Sequence, residues 1–292
     1  MVDKLLSEKT KTRSERIILM IAIISYLVHL ALILLANYNV IQIESKLLKD
    51  PIAAIYTPFS FILVYEVFLL IFFLPKSISS YIGKQYEIIT LILIRRIFKD
   101  IANLELTSNW FQSSSDLKFM YDVGTSLVLF LLIYFFYKHL AKRTGPSTLN
   151  TSERKQNIQK FIKLKRILAA VLVPVLIVLA IVTFYNWAAS AIDDSKNGIE
   201  TFNNINNIFF DEFFTILIIV DVLLLLASFF YSDKFHKIIR NSGFVISTIL
   251  IKISFSAEGL VNNGLIILAV LFGYLIMIIH NKFEQDALAT AD

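Results

Sequence analysis

The chain has 292 residues, 57% of them hydrophobic and only 17% charged, with a mean hydropathy of +0.68 and a net charge of +5. A soluble domain is roughly 45–50% apolar and about 25% charged, so an ordinary water-soluble fold is excluded. Cysteine is absent, which removes disulfides, thiolate catalysis and thiolate metal sites.

The apolar residues fall into blocks of about 20, the length that carries a helix across roughly 30 Å of hydrocarbon. These blocks are continuously apolar rather than alternating. They therefore predict an all-α, polytopic transmembrane helix bundle and not a β-barrel.

In chain order, residues 1–16 form a basic segment with Lys4, Lys9, Lys11, Arg13 and Arg16. The first span is 17–36. It is followed by Asn37, Tyr38 and Asn39 instead of a small-x-small cleavage site, so it reads as a retained helix. A second span covers 52–74. Residues 78–98 are the open case, because Ile88–Ile94 is apolar but too short to span, at about 10 Å. Lys84, Gln85, Glu87, Arg95 and Arg96 bracket this core without forming the clean polar face of an interfacial helix. Further spans follow at 119–140, 165–189 and 209–231. The region 243–280 is too long for one helix, and Glu258–Gly264 reads as a turn between helices at 243–257 and 260–280. These make seven spans, plus 78–98.

Charge bias settles the count. Residues 138–166 carry nine basic side chains, and the positive-inside rule places them with 1–16 in the cytoplasm. Only a crossing at 78–98 gives the even number this requires. The expectation is eight crossings with both termini cytoplasmic, nineteen basic residues inside and five outside. The chain then divides into 1–16, a first four-helix half at 17–141, a basic linker at 142–164, a second half at 165–281 and a tail at 282–292. Asn150-Thr151-Ser152 fits a glycosylation pattern but lies on the inner side.

An ionisable group in mid-bilayer costs about 2.5–3.5 kcal/mol on insertion scales, so each one needs a reason. The candidates are Asp221, Lys252, Glu66, Lys84, Glu87, Arg95 and Arg96. Asp221 and Lys252 differ in depth by about one helical turn, which a lysine stem can bridge. They would form either a site that an ion or proton contests or a structural ion pair. Glu66 and Glu87 lie at similar depth with Lys84 in reach, either as acids sharing a site or with separate partners. Arg95 and Arg96 would bind an anion, pair with Asp116, Asp193 or Asp194, or snorkel to headgroups. In each half the second helix carries an acid and the third a base. This fits a parallel internal repeat, though no residue-by-residue alignment accompanies it and coincidence is the simpler account. Pro174 predicts a kink, and Ala269-x-x-x-Gly273 predicts close helix approach.

No Walker loop, dinucleotide fingerprint, nucleophile elbow or zinc helix occurs, and the four histidines stand apart, so no catalytic residue, cofactor or metal is expected. The basic residues flank apolar blocks, which speaks for topology and against nucleic acid. The best-fitting reading is a conduit or transporter for an ion or small solute. The alternative is a non-catalytic accessory, sensing or scaffold subunit that binds a cytosolic partner or anionic lipid through 138–166. A membrane enzyme ranks last, and oligomer formation stays open. The Ile-, Lys- and Asn-rich composition suits a bacterial cytoplasmic membrane.

Overall fold

The computed structural model describes residues 7–38, 54–101, 114–141, 152–193, 198–231 and 235–289. Among these are eight α-helices and no strand. They are α1 (Glu8–Asn37), α2 (Tyr56–Phe73), α3 (Ile78–Ile101), α4 (Ser114–Ala141), α5 (Ser152–Asp193), α6 (Gly198–Tyr231), α7 (Phe235–Ser254) and α8 (Gly259–Ala289). Each expected apolar block lies wholly or largely within one of them. Residues 142–151, with the first two residues of the glycosylation-like triplet, lie outside the described residues, as does Asp194.

Local chemistry sets several helix ends. Ser7 caps α1 by accepting a hydrogen bond from the Thr10 N–H at 3.2 Å, with Glu8 in the first turn. The break between α7 and α8 falls at 255–258, slightly before the expected turn. There the N–H groups of Phe255, Ser256 and Ala257 fold back onto the carbonyls of Lys252, Ile253 and Ser254. Gly259 then enters α8 at φ 57, a left-handed conformation that glycine adopts without a Cβ penalty. Asn262 and Asn263 belong to the start of α8 rather than to a loop, and the Asn262 amide donates to the Ser254 carbonyl.

Side-chain contacts fix the helix directions. α1 and α2 meet through His29–Thr57 at one end (2.6 Å) and through Lys76–Glu8 at the other (3.1 Å). Phe59 of α2 stacks near Phe98 of α3. Arg96 of α3 reaches Asp122 of α4, while Glu87 accepts from Tyr137. α7 and α8 join Arg240 to His280 and Ser247 to the Ala269 carbonyl. Successive helices therefore alternate in direction. One end, here the basic end, gathers Lys76, Lys138, Lys165, Arg240 and His280, and both described chain ends lie there. Arg96, Asp122, Asp211 and Glu258 mark the far end.

α3, the open case of the sequence, runs through the middle of the bundle. It packs against α2, α4 and α7. Tyr81, Ile82, Gln85, Tyr86, Ile88, Ile89, Leu93 and Arg95 are buried. Its 24 residues rise about 36 Å. A helix enclosed on all sides has no single apolar stripe, which explains why its local pattern matched neither template.

The molecule has an apolar core like a soluble protein but an exterior unlike one. Its outer surface exposes Leu127, Phe130, Leu131, Ile177, Val178, Ile181 and Leu226, while Gln85, Asp122, Asp221, Arg240, Thr248 and Asn263 lie inside. In water so continuous an apolar exterior would aggregate, and in lipid it faces matching acyl chains. Among the described residues four helices, at Glu8–Asn37, Asp116–Ala141, Phe209–Phe230 and Gly259–Asp286, are long and apolar enough to cross a bilayer. The protein is a helical membrane protein.

Close packing occurs where small residues were expected. A Cβ on Gly273 would stand 1.7 Å from the Tyr86 hydroxyl oxygen and 3.3 Å from Ser247 Oγ. Ala269, one turn earlier, is fully buried and its carbonyl accepts from Ser247 at 2.7 Å. Pro174 sits inside α5 and leaves the Ala170 carbonyl without its usual helical donor.

Candidate functional site: a polar seam through the bundle

Polar side chains form three groups between α3, α4, α6, α7 and α8. The middle group joins Gln85 of α3, Asp221 of α6 and Thr248 of α7. Gln85 Nε2 lies 3.0 Å from Asp221 Oδ2, and Thr248 Oγ1 lies 2.7 Å from Gln85 Oε1 and 3.0 Å from Asp221 Oδ2. Gln85 and Thr248 are wholly inaccessible and Asp221 is 5% exposed. Beside this group, Tyr86 and Ser247 share a hydrogen bond at 2.8 Å. Among the described residues Asp221 makes no salt bridge.

The second group closes the far end. Arg96 donates from Nη2 to Asp122 Oδ1 at 2.7 Å and from Nη1 to Asn262 at 2.9 Å, and it also reaches Asn263. Asn263 in turn donates to Asp122 at 2.7 Å. This satisfies the buried carboxylate with charge-assisted, forked bonds from one arginine. A cleft of about 330 Å³ opens beside it, with Arg95, Arg96, Asp100, Lys118, Asp122 and Glu258 around it and Ile89 and Leu93 along α3. Ile89 is one helical turn, about 6 Å, from Gln85.

The third group stands at the basic end. Arg240 donates to Asn241 Oδ1 at 2.9 Å and contacts His280 Nε2 at 3.1 Å, while His280 Nδ1 faces the His236 carbonyl at 3.2 Å. A void of about 10 Å³ lies between Asn241 and Asp221, walled by Ile78, Ile82, Leu224 and Phe244. That is about the room one water molecule needs.

The expected partners are only partly found. Lys252 does not bind Asp221. Its ammonium lies 3.3 Å from Asp211, and both groups are about one-third exposed. The antiparallel α6–α7 pair sets Asp221 level with Thr248, so Lys252 stands one turn nearer the far end. Its stem extends outward to the interface instead of back into the core. Lys84 binds Glu87, which also accepts from Tyr137. Glu66 lies within electrostatic reach of Lys84, Glu87 and Glu15, and its Oε2 is buried without a hydrogen bond. Arg95 lays its guanidinium over the Phe210 ring at 5.7 Å. Asp116 hydrogen-bonds neither arginine, since both its buried oxygens lack a hydrogen-bond partner.

Gln85, Thr248, Asp122, Asn262, Asn263 and the Arg240–His280 contact were not foreseen. Asn262 and Asn263 carried a signal, two amides beside a long apolar run, but adjacent glycines made them read as turn residues. Among the described residues no three His, Asp or Glu side chains converge as metal ligands. No protein-family model, no curated protein and no solved structure matches this chain.

Proposed function

We propose that this protein moves an ion or a small solute across a membrane along the seam between α3, α6 and α7. The observation that carries this reading is the position of Asp221. It lies deep among neutral partners, with a water-sized void on the side of the basic end. The far-end cleft is lined by Ile89, about one helical turn along α3 from Gln85. A buried acid reached nearly from both sides suits a binding site opened alternately to each.

In this reading all eight helices cross the bilayer, both termini are cytoplasmic, and the basic end faces the cytoplasm of a cell membrane. Exposed Lys160, Lys163 and Arg166 at the start of α5 would sit against anionic headgroups. The contact pattern supports a parallel internal repeat. α3 meets α4 as α7 meets α8, with Gly83 against Tyr137 in one pair and Gly243 against Ile276 in the other.

The test is flux through the purified full-length protein in phospholipid vesicles, with imposed gradients of sodium, potassium, chloride or protons. Asp221→Asn is expected to lower flux at least about tenfold, as loss of one charged ligand worth roughly 1.4 kcal/mol or more would do. Lys252→Met, outside the seam, is expected to stay within about twofold. Absence of flux for every gradient, or an unaffected Asp221→Asn, contradicts the proposal.

A further inference from the structure

The middle group is one proton short. Thr248 has a single hydroxyl proton, yet three acceptors surround its oxygen: Gln85 Oε1 at 2.7 Å, Asp221 Oδ2 at 3.0 Å and the Phe244 carbonyl at 3.1 Å. With Asp221 ionised, that proton serves one acceptor, and one edge of the Gln85–Asp221–Thr248 triangle is left as two oxygens facing each other without a hydrogen. Adding a proton to Asp221 completes the triangle. The Asp221 O–H then donates to Thr248, the Thr248 O–H to Gln85 Oε1, and the Gln85 N–H to Asp221, so each edge carries one hydrogen.

We propose that Asp221, framed by Gln85 and Thr248, is a reversible proton-binding site, and hence that the species coupled to transport is the proton. This rests on the transport reading only in its second clause.

The surroundings agree with it. The titratable groups that α3 presents to Asp221 are the phenols of Tyr81 and Tyr86. α7 presents the neutral Asn241, Ser247 and Thr248. The buried face of α5 is apolar (Ala169, Leu172, Leu176) except for Lys165, whose ammonium is held by the Lys76 carbonyl at 2.8 Å. On α6 itself the next acid toward the far end is Glu212, and beyond it lies Asp211, already paired with Lys252 about 15 Å along the helix. No described cation is therefore placed to replace the proton. The void between Asp221 and Asn241 offers a water-sized step toward Arg240, His280 and the basic end.

Infrared difference spectroscopy on the full-length protein in lipid tests this directly, by titrating pH with and without ¹³C-labelled aspartate. The expected result is a carbonyl band of a protonated aspartic acid that grows on acidification, moves with the label and vanishes in Asp221→Asn. Thr248→Val should move its midpoint by about one to two pH units, since Thr248 donates a charge-assisted bond to the carboxylate but only accepts a weaker one from the protonated acid. If Asp221→Asn does not fold, the labelled band in the unsubstituted protein and its shift in Thr248→Val carry the test. A band that persists in folded Asp221→Asn, no titrating aspartate band, or a midpoint set by sodium at fixed pH overturns the proposal. A titrating band in protein that shows no flux upholds the proton site and removes the transport reading.

Discussion

Gly273 and Tyr86 show how little freedom the centre of the bundle has. The tyrosine hydroxyl occupies the space a methyl group at position 273 would fill, and it is held there by Ser247. Gly273→Ala should therefore destabilise the protein by at least about 2 kcal/mol, through overpacking of a filled interior. Tyr86→Phe alone should cost about 1 kcal/mol for the lost hydrogen bond. Combined, the two should cost less than their sum, because the second removes the clashing oxygen; thermal unfolding in detergent measures the coupling. Strict additivity would mean the contact is not the cause. Asp122 offers a second case. Asp122→Leu leaves the Arg96 guanidinium without its carboxylate and should cost about 2–3 kcal/mol, below the range for fully buried pairs because Arg96 is one-third exposed. Asp122→Asn, which keeps an acceptor, should cost clearly less.

At the level of helices, existence and order were legible and pairing was not. Continuous apolar runs flanked by charge mark spans whatever their neighbours do, so each block lies within or largely within an α-helix. Which residue a buried charge meets depends on the rotation and vertical offset of two helices, and a single sequence encodes neither locally. Lys252 illustrates this. Depth along the chain put it within a lysine's reach of Asp221, but the same flexible stem reaches Asp211 at lower desolvation cost. A partly exposed pair of this kind should be worth no more than about 1 kcal/mol, so Lys252→Met should leave the melting temperature nearly unchanged. A large loss would show that the lysine carries buried charge after all. α3 was hard to read for the opposite reason. Its polar residues fit no simple template because their partners are set by the packed bundle: Glu87 receives Lys84, Asp221 receives Gln85, Asp122 receives Arg96, and Arg95 lies over Phe210.

For the whole molecule, the claims are joined by direction. Helices that alternate between two ends, with a polar seam inside and an apolar exterior, form a path between two compartments only if those ends face opposite sides of a membrane. The chain contains no cysteine, so single cysteines introduced at exposed Ser77, between α2 and α3, and at exposed Ser256, between α7 and α8, can be labelled without background. With a membrane-impermeant maleimide on sealed, oriented vesicles, the account predicts that Ser77→Cys reacts from one side only and Ser256→Cys from the other. Reaction of both from the same side would contradict it.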